Sequence, residues 1–138
     1  MNHQITVSAS INAEKQKVWD YYTQPQHITK WNFAIETWHC PTASNDMRVG
    51  GRYVARMEAK DGSFGFDFEA IFNEIVWGEK FTYTMPDDRV VHVAFHSSEN
   101  NLTELTVTFD AENQNPVDMQ QQGWQAILNN FKTYTESH

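Results

Sequence analysis

Cysteine occurs once in this chain, at Cys40, so no disulfide can form within it. The opening residues MNHQITVSAS carry neither a basic start nor an apolar run, and no secretory signal peptide is expected. No apolar stretch approaches the roughly 20 residues that a membrane-crossing helix requires. A cytoplasmic protein without a membrane partner is therefore the expectation. Basic residues are scarce as well: ten Lys and Arg stand against eighteen Asp and Glu, a formal charge of −8. A surface of that sign repels phosphate backbones, and the basic residues form no stripe, which excludes nucleic acid as a partner. Nor is there a GxSxG elbow, a phosphate-binding P-loop or a GxGxxG turn, so no catalytic residue is assigned. His39 and Cys40 are adjacent and point to opposite sides of a strand. His92 and His96 share a face but lie roughly 13 Å apart at the strand rise, too far to share an ion. No metal and no cofactor are expected.

What the chain does hold is aromatic: 14% of its 138 residues are Phe, Trp or Tyr, within a hydrophobic content of 40%. That is enough for one domain over residues 1–138 with a core of its own. In GSFGFDFEAIF, residues 62–72, Phe64, Phe66 and Phe68 recur at every second position, the period of a strand face. Asp61-Gly62 is a two-residue turn signal, and pairing outward from Lys60 and Ser63 sets Ala59 against Phe64, Met57 against Phe66 and Ala55 against Phe68 on one face. Arg56 then meets Asp67 on the other, as expected of a solvated side. The turn at Trp77-Gly78 pairs Ile75 with Phe81, Asn73 with Tyr83 and Ile71 with Met85. Keeping all of these inward demands one extra residue, placed as a β-bulge near Glu69-Ala70. A three-residue loop at Glu99-Asn100-Asn101 sets Phe95 against Leu105, Val93 against Val107 and Val91 against Phe109 inside, with His96 and His92 outside.

Around this sheet the pattern predicts a first strand over about 3–11, a helix through AEKQKVWDYYT capped by Asn12, and a second short helix started by Pro25. A weak strand over Thr37 to Cys40 leads through a polar loop to Gly50-Gly51. Near the end, Val117, Trp124, Ile127, Leu128, Phe131 and Tyr134 form one helical stripe after Pro116. This helix is the one element long enough to cover the apolar face of the sheet.

The order of strand, two short helices, further strands and a long terminal helix resembles the α+β helix-grip fold of the START/SRPBCC superfamily, with a curved antiparallel sheet of about seven strands. Within it, KVWDYYTQPQHITKW, VGGRY, the DGSFGFDFEA hairpin, EKFTYT and GWQAILNNF resemble the single-domain members of the activator of heat-shock-protein ATPase homologue-like family. Trp77-Gly78 departs from the proline such proteins often carry. The family's name derives from co-chaperones with an additional chaperone-binding domain, for which this chain has no room, so chaperone stimulation is not carried over. The resemblance implies an elongated cavity between sheet and helix that takes up apolar molecules.

A sheet bent by a bulge cannot follow one straight helix along its whole length, so a gap is expected between them. Its lining is expected to include Tyr53, Met57, Phe66, Phe68, Tyr83, Val93 and Phe95 from the sheet, Trp124 and Leu128 from the helix, and Met47 as a flexible filler. Asn73 and Gln120 are the inward polar groups that could orient a ligand. Trp31, Phe33 and Trp38 are placed at its mouth. The partner expected is a small apolar ligand, with a homodimer through sheet edges or helices left open. The alternatives are a protein-interaction module and a cyclase- or hydrolase-like enzyme using the same cavity, for which Tyr53 and Tyr83 are the groups to test.

Overall fold

A computed structural model describes residues 3–138. The elements follow in the order β1 (Gln4–Ile11), α1 (Lys15–Thr23), α2 (Pro25–Trp31), β2 (Trp38–His39), β3 (Ala43–Asn45), β4 (Arg52–Ala59), β5 (Gly65–Val76), β6 (Lys80–Thr84), β7 (Val90–Ser97), β8 (Thr103–Asp110) and α3 (Val117–Ser137). All strands pair antiparallel in one eight-stranded sheet of order β1-β8-β7-β6-β5-β4-β2, with β3 also on β4. Period-two burial marks the concave face: Val91, Val93 and Phe95 on β7 and Leu105, Val107 and Phe109 on β8 are buried, while His92, Ala94 and His96 between them face out. Helix α3 lays Leu128 and Phe131 onto that face, at 2% and 0% exposure, a burial that stabilises by about 2 kcal/mol for each such side chain.

The hairpin registers follow the turn chemistry. Met57 opposes Phe66, Ala55 opposes Phe68 and Arg56 opposes Asp67, and β7 and β8 pair Phe95 with Leu105 and His96 with Glu104. Gly62 holds φ +78° at the first turn, and Asn100 and Asn101 take φ of 60° and 58° at the last, the left-handed region open to glycine and tolerated by asparagine.

Three expectations are corrected. Asn12 does not cap α1: the helix starts three residues later, its N-cap Glu14 makes no side-chain bond, and the Asn12 amide N–H donates instead to Glu136 Oε2 at 2.8 Å. The polar loop after Cys40 contains a further strand, β3, which pairs Ala43 with Ala55. The bulge falls at Asn73, not at Glu69-Ala70, so the register shifts between Phe72 and Glu74, and Phe72 instead of Asn73 opposes Tyr83. The inward phase therefore runs on through Phe66, Phe68, Ala70 and Phe72. Phe72 ends 2% exposed and Ile71 44% exposed.

The backbone around Gly50-Gly51 accounts for the position of that bulge. Gly50 N–H donates to Phe72 O at 2.8 Å and Phe72 N–H donates to Gly51 O at 3.0 Å, which holds Phe72 in the pleat. A Cβ at position 51 would stand 2.1 Å from Asp46 O, so only glycine permits this close approach.

Candidate binding cavity

Sheet and helix do not close on each other completely. Between them lies a cavity of about 290 Å³, lined by Tyr22, Trp31, Asn32, Tyr53, Met57, Phe66, Phe68, Tyr83, Met85, Arg89, Val107, Glu112, Gln120, Trp124, Ile127 and Leu128. Its walls are built ring on ring. Trp124 of α3 stacks on Phe109 of β8, with centroids 4.0 Å apart and planes 14° from parallel. The same indole meets Phe68 edge-on at 6.1 Å, and Phe68 meets Tyr53 edge-on at 6.1 Å. Tyr53 and Tyr83 lie 5.5 Å apart on the floor, and Tyr22 packs on Trp31 at 4.9 Å where α1 and α2 close one end.

An outer groove formed by Ala34, Ile35, Trp38, Asn115, Met119 and Gly123 shares Met57, Phe66, Gln120, Trp124 and Ile127 with the cavity. These five side chains stand between the chamber and the outer groove. Phe66 is the most exposed of them, at 45%, and further along the β4–β5 hairpin Phe64 stands 66% exposed against the inward expectation.

Of the side chains read from the sequence, Trp31, Tyr53, Met57, Phe66, Phe68, Tyr83, Gln120, Trp124 and Leu128 are brought together on the cavity wall. Six others are not. Val93 and Phe95 lie in solid core, at 1% and 3% exposure, because Trp19 and Tyr22 of α1 fill the space over Phe95 at centroid distances of 5.1 and 5.7 Å. Asn73, displaced by the bulge, turns to the outer face, where Nδ2 donates to Thr84 Oγ1 at 2.5 Å. Met47 packs against the core as a partly buried residue. Phe33 lines a separate groove beside Phe64, and Trp38 borders both that groove and the outer groove adjoining the cavity, without lining the cavity itself. Among the lining residues not assigned to the site from the sequence, Tyr22, Val107 and Ile127 each sit on an apolar face the pattern had already drawn. Asn32, Arg89 and Glu112 lie in loops, where no periodicity announces them.

The polar groups of the wall divide into committed and free. Gln120 Oε1 accepts from the Glu112 N–H at 2.9 Å, and its Nε2 donates to Glu112 O at 3.1 Å and Asn115 O at 2.8 Å. Both of its N–H donors are thus spent on the β8–α3 loop, and its oxygen is already engaged there, so the amide serves the loop before any ligand. Arg89 Nε donates to Asp87 Oδ2 at 2.7 Å, and Glu112 Oε1 accepts from Asn115. Tyr53 and Tyr83, 7% and 5% exposed, are different: burial pushes both phenols well above their ordinary range, and no hydrogen bond from a described residue contributes. Burial raises Tyr22 in the same way. All three stay neutral at physiological pH. Cys40, the one thiol, is pushed up to about 11 by burial and its Sγ lies 3.5 Å from Thr42 O, a state far from a reactive thiolate. Among the described residues, no three His, Cys, Asp or Glu side chains gather closely enough to hold a metal ion, and no helix is long and apolar enough to cross a membrane.

A curved antiparallel sheet gripping one long helix, with two short helices after the first strand, defines a helix-grip protein of the START/SRPBCC class, a fold that commonly binds ligands in a cavity. The family model for Activator of Hsp90 ATPase homolog 1-like protein matches residues 12–136, and the chain belongs to that family. It is similar to the solution structure of the AHSA1-like protein from Aeromonas hydrophila, with 40% identity and a TM-score of 0.91 over 98% of this chain and 93% of that one. A protein from Cytophaga hutchinsonii is 42% identical, with a TM-score of 0.83 over 97% of this chain and 92% of that one. One from Chromobacterium violaceum shares the fold at 22% identity and a TM-score of 0.85, over 96% of each chain. No match was found among the curated proteins.

Proposed function

We propose that the protein binds a small apolar or amphipathic molecule in the cavity between its sheet and α3. The observation that carries this reading is the volume itself. Close-packed interiors leave few voids larger than a water molecule, whereas this one measures about 290 Å³ and is walled mostly by rings and methionines. It is near the lower end of small-molecule sites, roughly 300–1,000 Å³, and about twice the ~150 Å³ apolar cavity that takes up benzene. A compact two-ring molecule is the size that fits. Because a ligand that binds only the folded state must stabilise it, the melting temperature should climb with the concentration of such a compound. Native mass spectrometry of freshly purified protein should show a retained small molecule. A bare mass together with a melting temperature indifferent to every compact bicyclic compound tried would count against uptake.

A second reading has an observation of its own. Ile35 and Met119, each 58% exposed, line the outer groove, and Phe64, 66% exposed, stands beside it against Trp38 at 6.2 Å; an apolar rim of this kind is where a partner protein can seat a side chain. Phe64→Asp discriminates, since it should leave ligand uptake intact and abolish only the docking of a partner.

A further inference from the structure

Among the described residues, the buried side-chain nitrogen and oxygen atoms that lack a partner and are sealed by protein are Trp19 Nε1, Asn45 Oδ1 and Thr135 Oγ1. The hydroxyls of Tyr22, Tyr53 and Tyr83 are not among them, yet no described residue bonds to them either. All three residues line the cavity, so open space is what these oxygens face. They are also neighbours: the rings of Tyr53 and Tyr83 lie 5.5 Å apart, and Tyr22 and Tyr83 both pack on Phe81, at 6.1 and 5.5 Å. Three different elements, α1, β4 and β6, thus direct neutral O–H donors into one chamber, whose remaining wall is mostly but not wholly apolar.

Such an arrangement is selective. A hydrocarbon filling the chamber would displace water from the hydroxyls and return nothing, leaving buried donors unpaired at a cost in affinity. An oxygen with two lone pairs can accept from two of them at once. Charge on that oxygen is disfavoured, because the surroundings that burden a phenolate by desolvation burden a ligand's carboxylate in the same way. Arg89, the cationic group of the wall, is already held by Asp87.

Resting on the ligand-binding reading above, we infer that Tyr22, Tyr53 and Tyr83 form a hydroxyl cluster that recognises a neutral carbonyl-type oxygen on a compact, otherwise apolar ligand.

Three probes of similar size test this: 1-tetralone, its hydrocarbon counterpart tetralin, and the anion 1-naphthoate, each titrated calorimetrically into the wild-type protein and into Tyr22→Phe, Tyr53→Phe, Tyr83→Phe and the triple variant. Tetralone should bind the wild type about tenfold more tightly than tetralin, the scale of one or two hydrogen bonds. The triple variant should lose that margin while binding tetralin as well as before or better. Thermal melts of the variants serve as the folding control, since removing a hydroxyl with no partner should leave stability unchanged or raised. Equal affinity for tetralone and tetralin in the wild type overturns the hydroxyl cluster and leaves the binding cavity standing. Tighter binding of 1-naphthoate than of tetralone overturns the claim of neutrality. Uptake of none of the three at millimolar concentration overturns the ligand-binding reading and this inference with it.

Discussion

The indole of Trp124 lies flat on the ring of Phe109, with centroids 4.0 Å apart. That stack joins α3 to β8, and Trp124 also lines the cavity, so one side chain both anchors the helix and forms part of the cavity wall.

Trp124→Ala removes the anchor. Truncation of a fully buried aromatic costs about 3–5 kcal/mol. Trp124 is only partly buried and already borders open space, so a loss of about 2 kcal/mol is expected in urea melts. The enlarged chamber should weaken tetralone binding by about tenfold or more, whereas Trp124→Phe should retain most of both. A Trp124→Ala protein of unchanged stability would show that the stack carries no packing energy.

Gln120 is the contrasting case, because it touches the cavity without being free to serve it. Gln120→Leu leaves the Glu112 N–H, the Glu112 carbonyl and the Asn115 carbonyl without their side-chain partner. The expected result is a loss of about 2 kcal/mol of stability, with tetralone affinity per folded molecule unchanged within about twofold. A protein that gains stability and loses ligand affinity would reverse this assignment and make Gln120 an orienting group.

The bulge at Asn73 decides which of two adjacent apolar side chains belongs to the core. Phe72→Ala should cost about 3–4 kcal/mol, as for a buried phenylalanine. Ile71→Ala, at a 44% exposed position, should cost under about 1 kcal/mol. Equal costs in denaturant unfolding would place the extra residue nearer Glu69, where the sequence pattern alone had put it.

That pair also shows where the sequence stopped being legible. Asp61-Gly62 determined the β4–β5 register because a side-chain period of two leaves a tight turn no freedom to slip by one residue. Past Phe68, AIFNEIV offers apolar residues in both phases, so the pattern is satisfied by a bulge at several positions. The backbone pairing of Phe72 with Gly50 and Gly51 selects one of them, and such a contact lies outside any local window. The same distinction runs through the cavity. Strand and helix faces announced Tyr53, Phe68, Tyr83 and Trp124, but nothing local indicates that α1 would fill the space over Phe95 or that the loops carrying Arg89 and Glu112 would turn inward.

His27 gives the fold a pH response whose sign is determined. Its ring stacks on Tyr21 at 3.9 Å and its Nδ1 lies 2.8 Å from the Tyr134 hydroxyl, so it joins α1, α2 and α3. Burial lowers its pKa; Asp20 opposes the shift and His138 adds to it. The native state therefore takes up this proton less readily than the unfolded chain does. As pH falls through the ordinary histidine value of about 6.5, the unfolded chain binds a proton that the native protein does not, and stability declines. The decline ends below the native pKa, where both states carry the proton. Asp61, Asp87 and Glu136 are held below their ordinary carboxylate values, so their contributions are present above that range and lost at lower pH, through their depressed native pKa values. The two regimes are separable. Urea midpoints should begin to fall as pH drops through about 6.5, and His27→Gln should flatten that fall while leaving the one in the carboxylate range in place. A variant whose midpoint tracks the wild type across the upper window would remove His27 as its source.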